Sequence, residues 1–172
     1  MSNPIPERLN NFTLSNDANK MIGIVDLELP SLEAMTDTVS GAGIAGEIDS
    51  PTVGHFGSMT TTINFRTITG DVMSLAEQKA HNLTARGSMQ IYDAGTGEYK
   101  FSNVRVVMKA IPKNLGLGTF APASATDTSH EFEVNYLKIE IDKKEVVEID
   151  KLNFKAVING KDFLSAVRQF LG

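Results

Sequence analysis

The chain has 172 residues, 16 Lys and Arg against 21 Asp and Glu, a net charge of −5 and no cysteine. This length predicts one domain, 1–172, which buries about 70% of its unfolded surface and needs no staple. The absence of thiols excludes disulfides, thiolate metal sites and cysteine catalysis, and is compatible with a reducing compartment.

The charge is uneven. Residues 1–57 hold two bases, Arg8 and Lys20, against eight acids, while the remainder is nearly balanced. No basic stripe of the kind that reads nucleic acid is present, and an acidic first third repels phosphate. The opening MSNPIPERLNNF lacks the apolar run of a signal peptide. The longest apolar runs are far short of the ~20 residues that span a bilayer. The expectation is a soluble protein, made in the cytosol, with no membrane insertion.

Residues 21–29, MIGIVDLEL, place Val25, Leu27 and Leu29 on one parity and Asp26 and Glu28 on the other. Period two predicts a half-buried strand, and Pro30 interrupts its ladder. Residues 31–40 alternate as well. They lead into GAGIAG, 41–46, whose glycine spacing matches the dinucleotide-binding fingerprint. That motif works only after a buried strand and before a helix, with an acid about 20 residues on. Here the flanks are polar or broken by Pro51, Gly54 and Gly57, and 63–66 reads INFR. The glycines therefore mark a loop.

Residues 58–68, SMTTTINFRTI, alternate with Met59, Thr61, Ile63 and Phe65 inward and Thr60, Thr62, Asn64 and Arg66 outward. The segments 31–40 and 58–68 are expected to form two arms of a long hairpin with 41–57 as its tip. Loops of that length are usually functional or mobile.

DVMSLAEQKA, 71–80, predicts a helix of about two and a half turns with Asp71 as its cap. ARGSMQIYD, 85–93, and YKFSNVRVVMKAI, 99–111, are strands joined by the turn AGTG, 94–97. In the second, Val104, Val106, Met108 and Ala110 point to the core. A long loop of small residues follows at 114–129.

Residues 130–142, HEFEVNYLKIEID, switch parity: Phe132, Val134 and Tyr136 come first, then Leu137, Ile139 and Ile141. A straight strand cannot change its buried face. A bulge near Tyr136-Leu137 predicts a strand that passes between two sheets. EVVEID, 145–150, is a further strand, and Asn159-Gly160 is a turn signal. DFLSAVRQFLG predicts a terminal helix with Asp162 as cap and Phe163, Leu164, Val167, Phe170 and Leu171 as a core face.

Residues for chemistry are missing. His55, His81 and His130 have no partners at metal-ligand spacing and are expected at the surface or in loops. Ser58 near His55 lacks a nucleophile elbow. Glu145, Glu148 and Asp150 suggest a carboxylate pair, but with no sign of a cleft they are expected on a solvated strand edge. No P-loop, zinc or EF-hand signature occurs. The expectation is no enzyme and no cofactor. The fold class is mainly β: an antiparallel sandwich or barrel with one or two short helices. Long arms and polar second faces fit a ring-forming building block.

The run NYLKIEIDKKEVVEIDKLNFKAVINGKDFLSAVRQFLG, 135–172, resembles the end of the major tail tube protein of contractile-tailed bacteriophages and R-type tailocins. The resemblance lies in Tyr136-Leu137-Lys138, the run from Glu145 to Asp150, Asn159-Gly160 and the final helix. Leu29-Pro30-Ser31-Leu32 and Gly41–Gly46 match in the same order. The departures are at 114–129 and in the acidic N-terminal strands.

That resemblance implies a homohexameric ring stacked into a hollow tube, its sheet continued by neighbours into an inner β-barrel. It also implies sheath, baseplate and tape-measure partners, and a virion tail or tailocin particle assembled in the bacterial cytoplasm. The tube conducts DNA without specific binding, or punctures a target envelope. Gly41, Gly43, Ile44, Gly46, Glu47, Ile48, Asp49 and His55 are the expected contact loop to the next ring. Thr60, Thr62, Asn64, Arg66, Glu131 and Glu133 are the lumen candidates, with Asn135 on the face of the last two. A related tube protein of a type VI secretion system and a monomeric ligand-binding β-sandwich are the rival readings. The latter is weakened by the absence of tryptophan and the presence of only three tyrosines.

Overall fold

A computed structural model describes residues 1–17 and 19–172. Twelve strands and two short helices follow one another in the order β1 Pro4–Asn16, β2 Asn19–Met21, β3 Ile24–Glu28, β4 Ala34–Ser40, β5 Glu47–Phe56, β6 Thr60–Phe65, α1 Gly70–Ser74, β7 His81–Asp93, β8 Glu98–Gly116, β9 Thr128–Ile141, β10 Lys144–Asp150, β11 Lys155–Ile158, β12 Lys161–Asp162 and α2 Ser165–Leu171. The main sheet runs β12-β11-β10-β9-β8-β7-β1-β2, with β6 on β9 and β3 on β6. All its pairings are antiparallel. The sheet folds over its own inner face as an open sandwich and does not close into a barrel.

The parity switch in β9 organises this architecture. Val134 pairs with Ala110 and Tyr136 with Lys109, so Asn135 is the extra residue of a bulge. Before it, β9 pairs with β6; after it, with β10. The carbonyl of Asn135 accepts from Lys151 N at 3.2 Å. The bulge keeps Phe132, Val134 and Leu137 all inward and buried. They pack with Phe65, Met59, Ile63, Leu14, Leu83 and Met108. Each such buried apolar side chain contributes about 1.5–3 kcal/mol. Thr61 is buried among them and satisfied, its Oγ1 donating to the Glu28 carbonyl at 2.7 Å.

Two turns match their local chemistry. Asn159 and Gly160 both have positive φ, 51° and 77°, between β11 and β12. Asp142 and Lys143 do the same between β9 and β10, at 50° and 66°. The start of β1 is clamped by Asp93, which is fully buried. Its carboxylate accepts from Lys100 Nζ, Asn3 N, Ser2 Oγ and Gly95 N at 2.7–3.0 Å. Lys100 and the Asn3 amide hold that carboxyl well below the usual range.

Five sequence expectations change. Residues 47–56 are a strand, not part of a loop, and β4 pairs with β5 rather than with β6. The tip of the hairpin is therefore 41–46. The loop at 114–129 shrinks to 117–127 because β8 and β9 extend into it. The first helix is five residues long and is capped by Thr69, whose side chain accepts from Val72 N, not by Asp71.

The fourth change concerns α2. Only Leu164, at its cap, is buried; Phe163, Val167, Phe170 and Leu171 are exposed, Phe170 at 85%. Asp162 does not cap the helix through its own position. Its Oδ1 accepts from Leu164 N at 3.0 Å, and its carboxylate pairs with Arg168. In β3, a bulge at Val25 puts Ile24 and Leu27 against the core and leaves Val25 exposed.

Candidate functional site

The β4–β5 ribbon stands apart from the main sheet and pairs only with itself among the described residues. Every residue of β4 is exposed. Gly41, Gly43 and Gly46 at the tip have φ of 142°, 89° and 106°, angles that favour glycine. A turn closes there, Ile44 N donating to the Gly41 carbonyl at 3.1 Å. Of the expected contact residues, these three glycines and Ile44 form the tip. Glu47, Ile48 and Asp49 open β5, and His55 lies at the far end of the same strand. At the end of the ribbon Val39 faces Ile48, and both are exposed. The ribbon carries Asp37, Glu47 and Asp49 and no Lys or Arg.

Its base is fixed. Phe56 packs on the core, and Gly57 N donates to the Glu33 carbonyl at 2.8 Å. Lys151 Nζ donates to the Gly57 carbonyl at 2.6 Å. Gly54 has φ 74°, and a Cβ there lies 2.5 Å from Leu164 Cγ. Gly54→Ala is expected to cost about 1–3 kcal/mol through strain at positive φ and displacement of Leu164. Calorimetry checks it: each kcal/mol lowers Tm by roughly 2–4 °C in a chain of this size. An unchanged Tm shows that Leu164 yields freely.

The lumen candidates come together on one surface. β6 and β9 are neighbours, with Thr60 opposite Glu133, Thr62 opposite Glu131 and Asn64 opposite Ser129. The two polar faces read separately in the sequence are thus one face. Asn135 is the bulge residue at its edge. Arg66 stands just past the end of β6, and its carbonyl accepts from Thr126 N at 3.0 Å. It ties down the 117–127 loop.

Four residues join this face that the sequence did not assign to it. Asp26 and Glu28 of β3 lie opposite Asn64 and Thr62, and Asn64 Nδ2 donates to Asp26 Oδ1 at 2.5 Å. Lys113 Nζ sits 3.5 Å from both Glu131 Oε1 and Glu133 Oε2. Lys151 is 4.0 Å from Glu133. Burial opposes ionisation of Glu133, but the Ser58 hydroxyl at 2.6 Å and the Lys113 charge outweigh it, so the carboxyl stays below its usual range. Four carboxylates thus face two lysines, and the surface keeps a negative excess. The alternation had marked Asp26 and Glu28 as outward, but not their strand's neighbour.

The carboxylates of β10 are paired, not catalytic. A bulge at Val146 sets Glu145 beside Glu148. Glu148 accepts from the Tyr136 hydroxyl at 2.9 Å and pairs with Lys155 at 2.8 Å. Burial and the Glu148 contact push the Tyr136 hydroxyl up to about 12. Lys138 is 3.5 Å from Glu145. No group of three or more His, Asp and Glu able to hold a metal occurs among the described residues. No described helix is long and apolar enough to cross a membrane.

Two histidines are corrected. His81 and His130 are buried, not at the surface. His130 stacks on Phe132 at 4.3 Å and 14°, and among the described residues neither of its ring nitrogens has a hydrogen-bond partner. His81 contacts the same ring edge-on at 6.5 Å, with Nε2 3.0 Å from the Glu77 carbonyl. Burial, then the nearby His81, holds the His130 pKa below the ordinary value.

Comparison with known proteins gives these surfaces a context. The major tail tube protein of Serratia phage KSP20 is 24% identical over 159 residues, covering 92% of this chain and 91% of the phage protein. A chain of the sheath/tube terminator of an extracellular contractile injection system, PVC, in its extended state has the same fold. The TM-score is 0.54 at 14% identity, covering 79% of this chain and 97% of that one. The model of the family described as phage tail tube protein FII matches residues 6–172. The mostly antiparallel open sandwich agrees with it, and the chain belongs to that family of structural tail tube proteins, which are not enzymes.

Proposed function

We propose that this subunit forms hexameric rings that stack into the tube of a contractile tail and conduct DNA. The observation that carries the reading is the β4–β5 ribbon: exposed on both faces, glycine-tipped and without a further strand partner among the described residues. A two-stranded ribbon alone is marginal in water. Another copy supplies what it lacks, and a head-to-tail contact of this kind builds rings and filaments. The tip residues Gly41, Gly43, Ile44 and Gly46, with Glu47, Ile48 and Asp49, make the ring-to-ring contact; His55 stays near the base.

Free edges of the main sheet other than that of β1 pair with neighbours and continue the sheet into an inner barrel. Sheath, baseplate and tape-measure proteins complete the particle, a virion tail assembled in the host cytoplasm. The kinship with a phage tail tube protein supports the DNA conduit over a tailocin or a type VI secretion tube.

The face of Thr60, Thr62, Asn64, Glu131 and Glu133, with Asp26 and Glu28, lines the bore, and Arg66 lies at its end. Its negative excess repels phosphate and lets DNA slide. Negative-stain electron microscopy of the concentrated protein tests the assembly: rings or tubes of uniform diameter are expected, and monodisperse monomers at every concentration count against it. Single cysteines at Thr60, Thr62 and Glu131 test the lining. In assembled tubes they should resist bulky thiol reagents added outside, and rapid labelling would place the face elsewhere.

A further inference from the structure

The ribbon needs a seat, and the same chain carries an unfilled one. Along one edge β1 pairs with β7 for almost its whole length. Along the other, β2 covers only Leu14, Ser15 and Asn16. Residues 4–13 therefore have no strand on this edge among the described residues, the situation that invites strand addition; Pro4 and Pro6 carry no N–H, and Phe12 N donates to Asn11 Oδ1 at 2.8 Å.

Beside this edge the inner face of the sheet is uncovered. β3 lies over part of it and leaves a groove of about 290 Å³ lined by Leu9, Phe12, Leu27, Leu29, Ala85 and Met89. Leu9 and Leu29 are nearly half exposed. The one charged residue of the lining, Asp26, already accepts from Asn64. The groove continues the core where its covering layer ends.

We infer that the β4–β5 ribbon of a second copy adds to the free edge of β1 and lays Val39 and Ile48 over this groove. The inference rests on the ribbon being the contact between copies, and it names the surface where the ribbon lands. Three features select the ribbon. It has unpaired edges of its own, so it satisfies the β1 backbone as well as the apolar wall. Its seven-residue β4 spans about 24 Å at ~3.4 Å per residue, within the reach of the ten free residues of β1.

The charges also match. The ribbon carries acids and no Lys or Arg, and no such base occurs between Lys20 and Arg66. The receiving strands hold Arg8 and Lys20, the only two bases of residues 1–57. The Arg8 side chain is 71% exposed; its guanidinium lies 4.0 Å from Glu7 Oε2, which also accepts from Gln90 at 2.7 Å. Helix α2, another exposed apolar element, is seven residues of helix and offers no open strand edge to the β1 backbone.

The chain has no cysteine, which makes the test clean. Full-length double variants are made: Leu9→Cys with Ile48→Cys, Leu9→Cys with Val39→Cys, and Phe170→Cys with Ile48→Cys as a control. Each is treated with a short bifunctional thiol reagent, both as concentrated subunit and in tubes seen by microscopy. A ladder of linked copies is expected from at least one Leu9 pair and not from the Phe170 pair. Adding Arg8→Glu should weaken it. A ladder from Phe170 alone overturns the seat and keeps the ribbon as the contact. No ladder from either Leu9 pair in both states also overturns the seat. A ribbon-trimmed chain that still forms full-length tubes removes the ribbon reading itself.

Discussion

Replacing residues 39–48 by Asn-Gly yields a folded subunit that no longer stacks. Thr38 faces Asp49 across the ribbon. The replacement joins them through a two-residue turn of the type that antiparallel strands favour. The tip and its last two cross-strand pairs are lost. The base is untouched: Phe56 stays on the core, Gly54 against Leu164 and Gly57 on Glu33.

Surface changes away from the core shift stability by about ±0.5 kcal/mol. That is roughly 1–2 °C in a chain of this size. Assembly should respond very differently, because the removed segment supplies the contact itself. The expected result is a Tm near that of the parent and no tubes under conditions where the parent forms them. Calorimetry and negative-stain microscopy on the same sample read both. Tubes of parental length from the trimmed chain would show that stacking runs through another surface. A cooperative loss of fold would show that the ribbon belongs to the domain.

Acid should weaken the fold through His130. The imidazole is buried on Phe132 with no hydrogen-bond partner for either nitrogen among the described residues. Burial favours its neutral form and lowers its pKa in the folded state, and His81 nearby adds to this. The ordinary value is about 6.5 in an unfolded chain. Between the two values the unfolded state holds more protons, so stability rises with pH. The stabilisation from a neutral His130 is present above about pH 6.5. It is lost as pH falls through that value towards the folded pKa.

His130 sits on β9 opposite Ile63 of β6 and Leu115 of β8, so its protonation loads the seam of three strands. His130→Phe keeps an aromatic on Phe132 and carries no titrating group. Its denaturation midpoint should be flatter between pH 7 and pH 5 than that of the parent. Equal slopes in the two proteins would assign the acid sensitivity to other groups. His130 chemical shifts followed with pH give the folded pKa directly.

The sequence by itself determined what depends on neighbouring residues. Alternation at Met59, Thr61, Ile63 and Phe65 dictated a strand with that inner face, and all four are buried. Period two carries this because successive side chains must point to opposite faces. The parity switch after Tyr136 demanded a bulge, and the bulge is at Asn135. Asn159-Gly160 marked its turn because both residues tolerate positive φ. Missing thiols and missing motifs removed whole classes of chemistry, and an ordered set of short matches pointed to the tail tube family.

Tertiary structure decided which strand met which. Residues 47–56, with Pro51, Gly54 and no clean alternation, read as a loop, yet pairing with β4 makes them a strand. Ladder hydrogen bonds come from the partner, which no local pattern names. The joining of β6 to β9 turned two polar faces into one, and β3 added Asp26 and Glu28 to it. Burial of His81 and His130 followed from the sheet folding over them; histidine is intermediate between core and surface, so its type alone did not decide. The apolar stripe of α2 shows the same limit from the other side. Helical spacing establishes that those residues share a face, but whether a face is covered depends on what packs there, and among the described residues Phe170 stays 85% exposed.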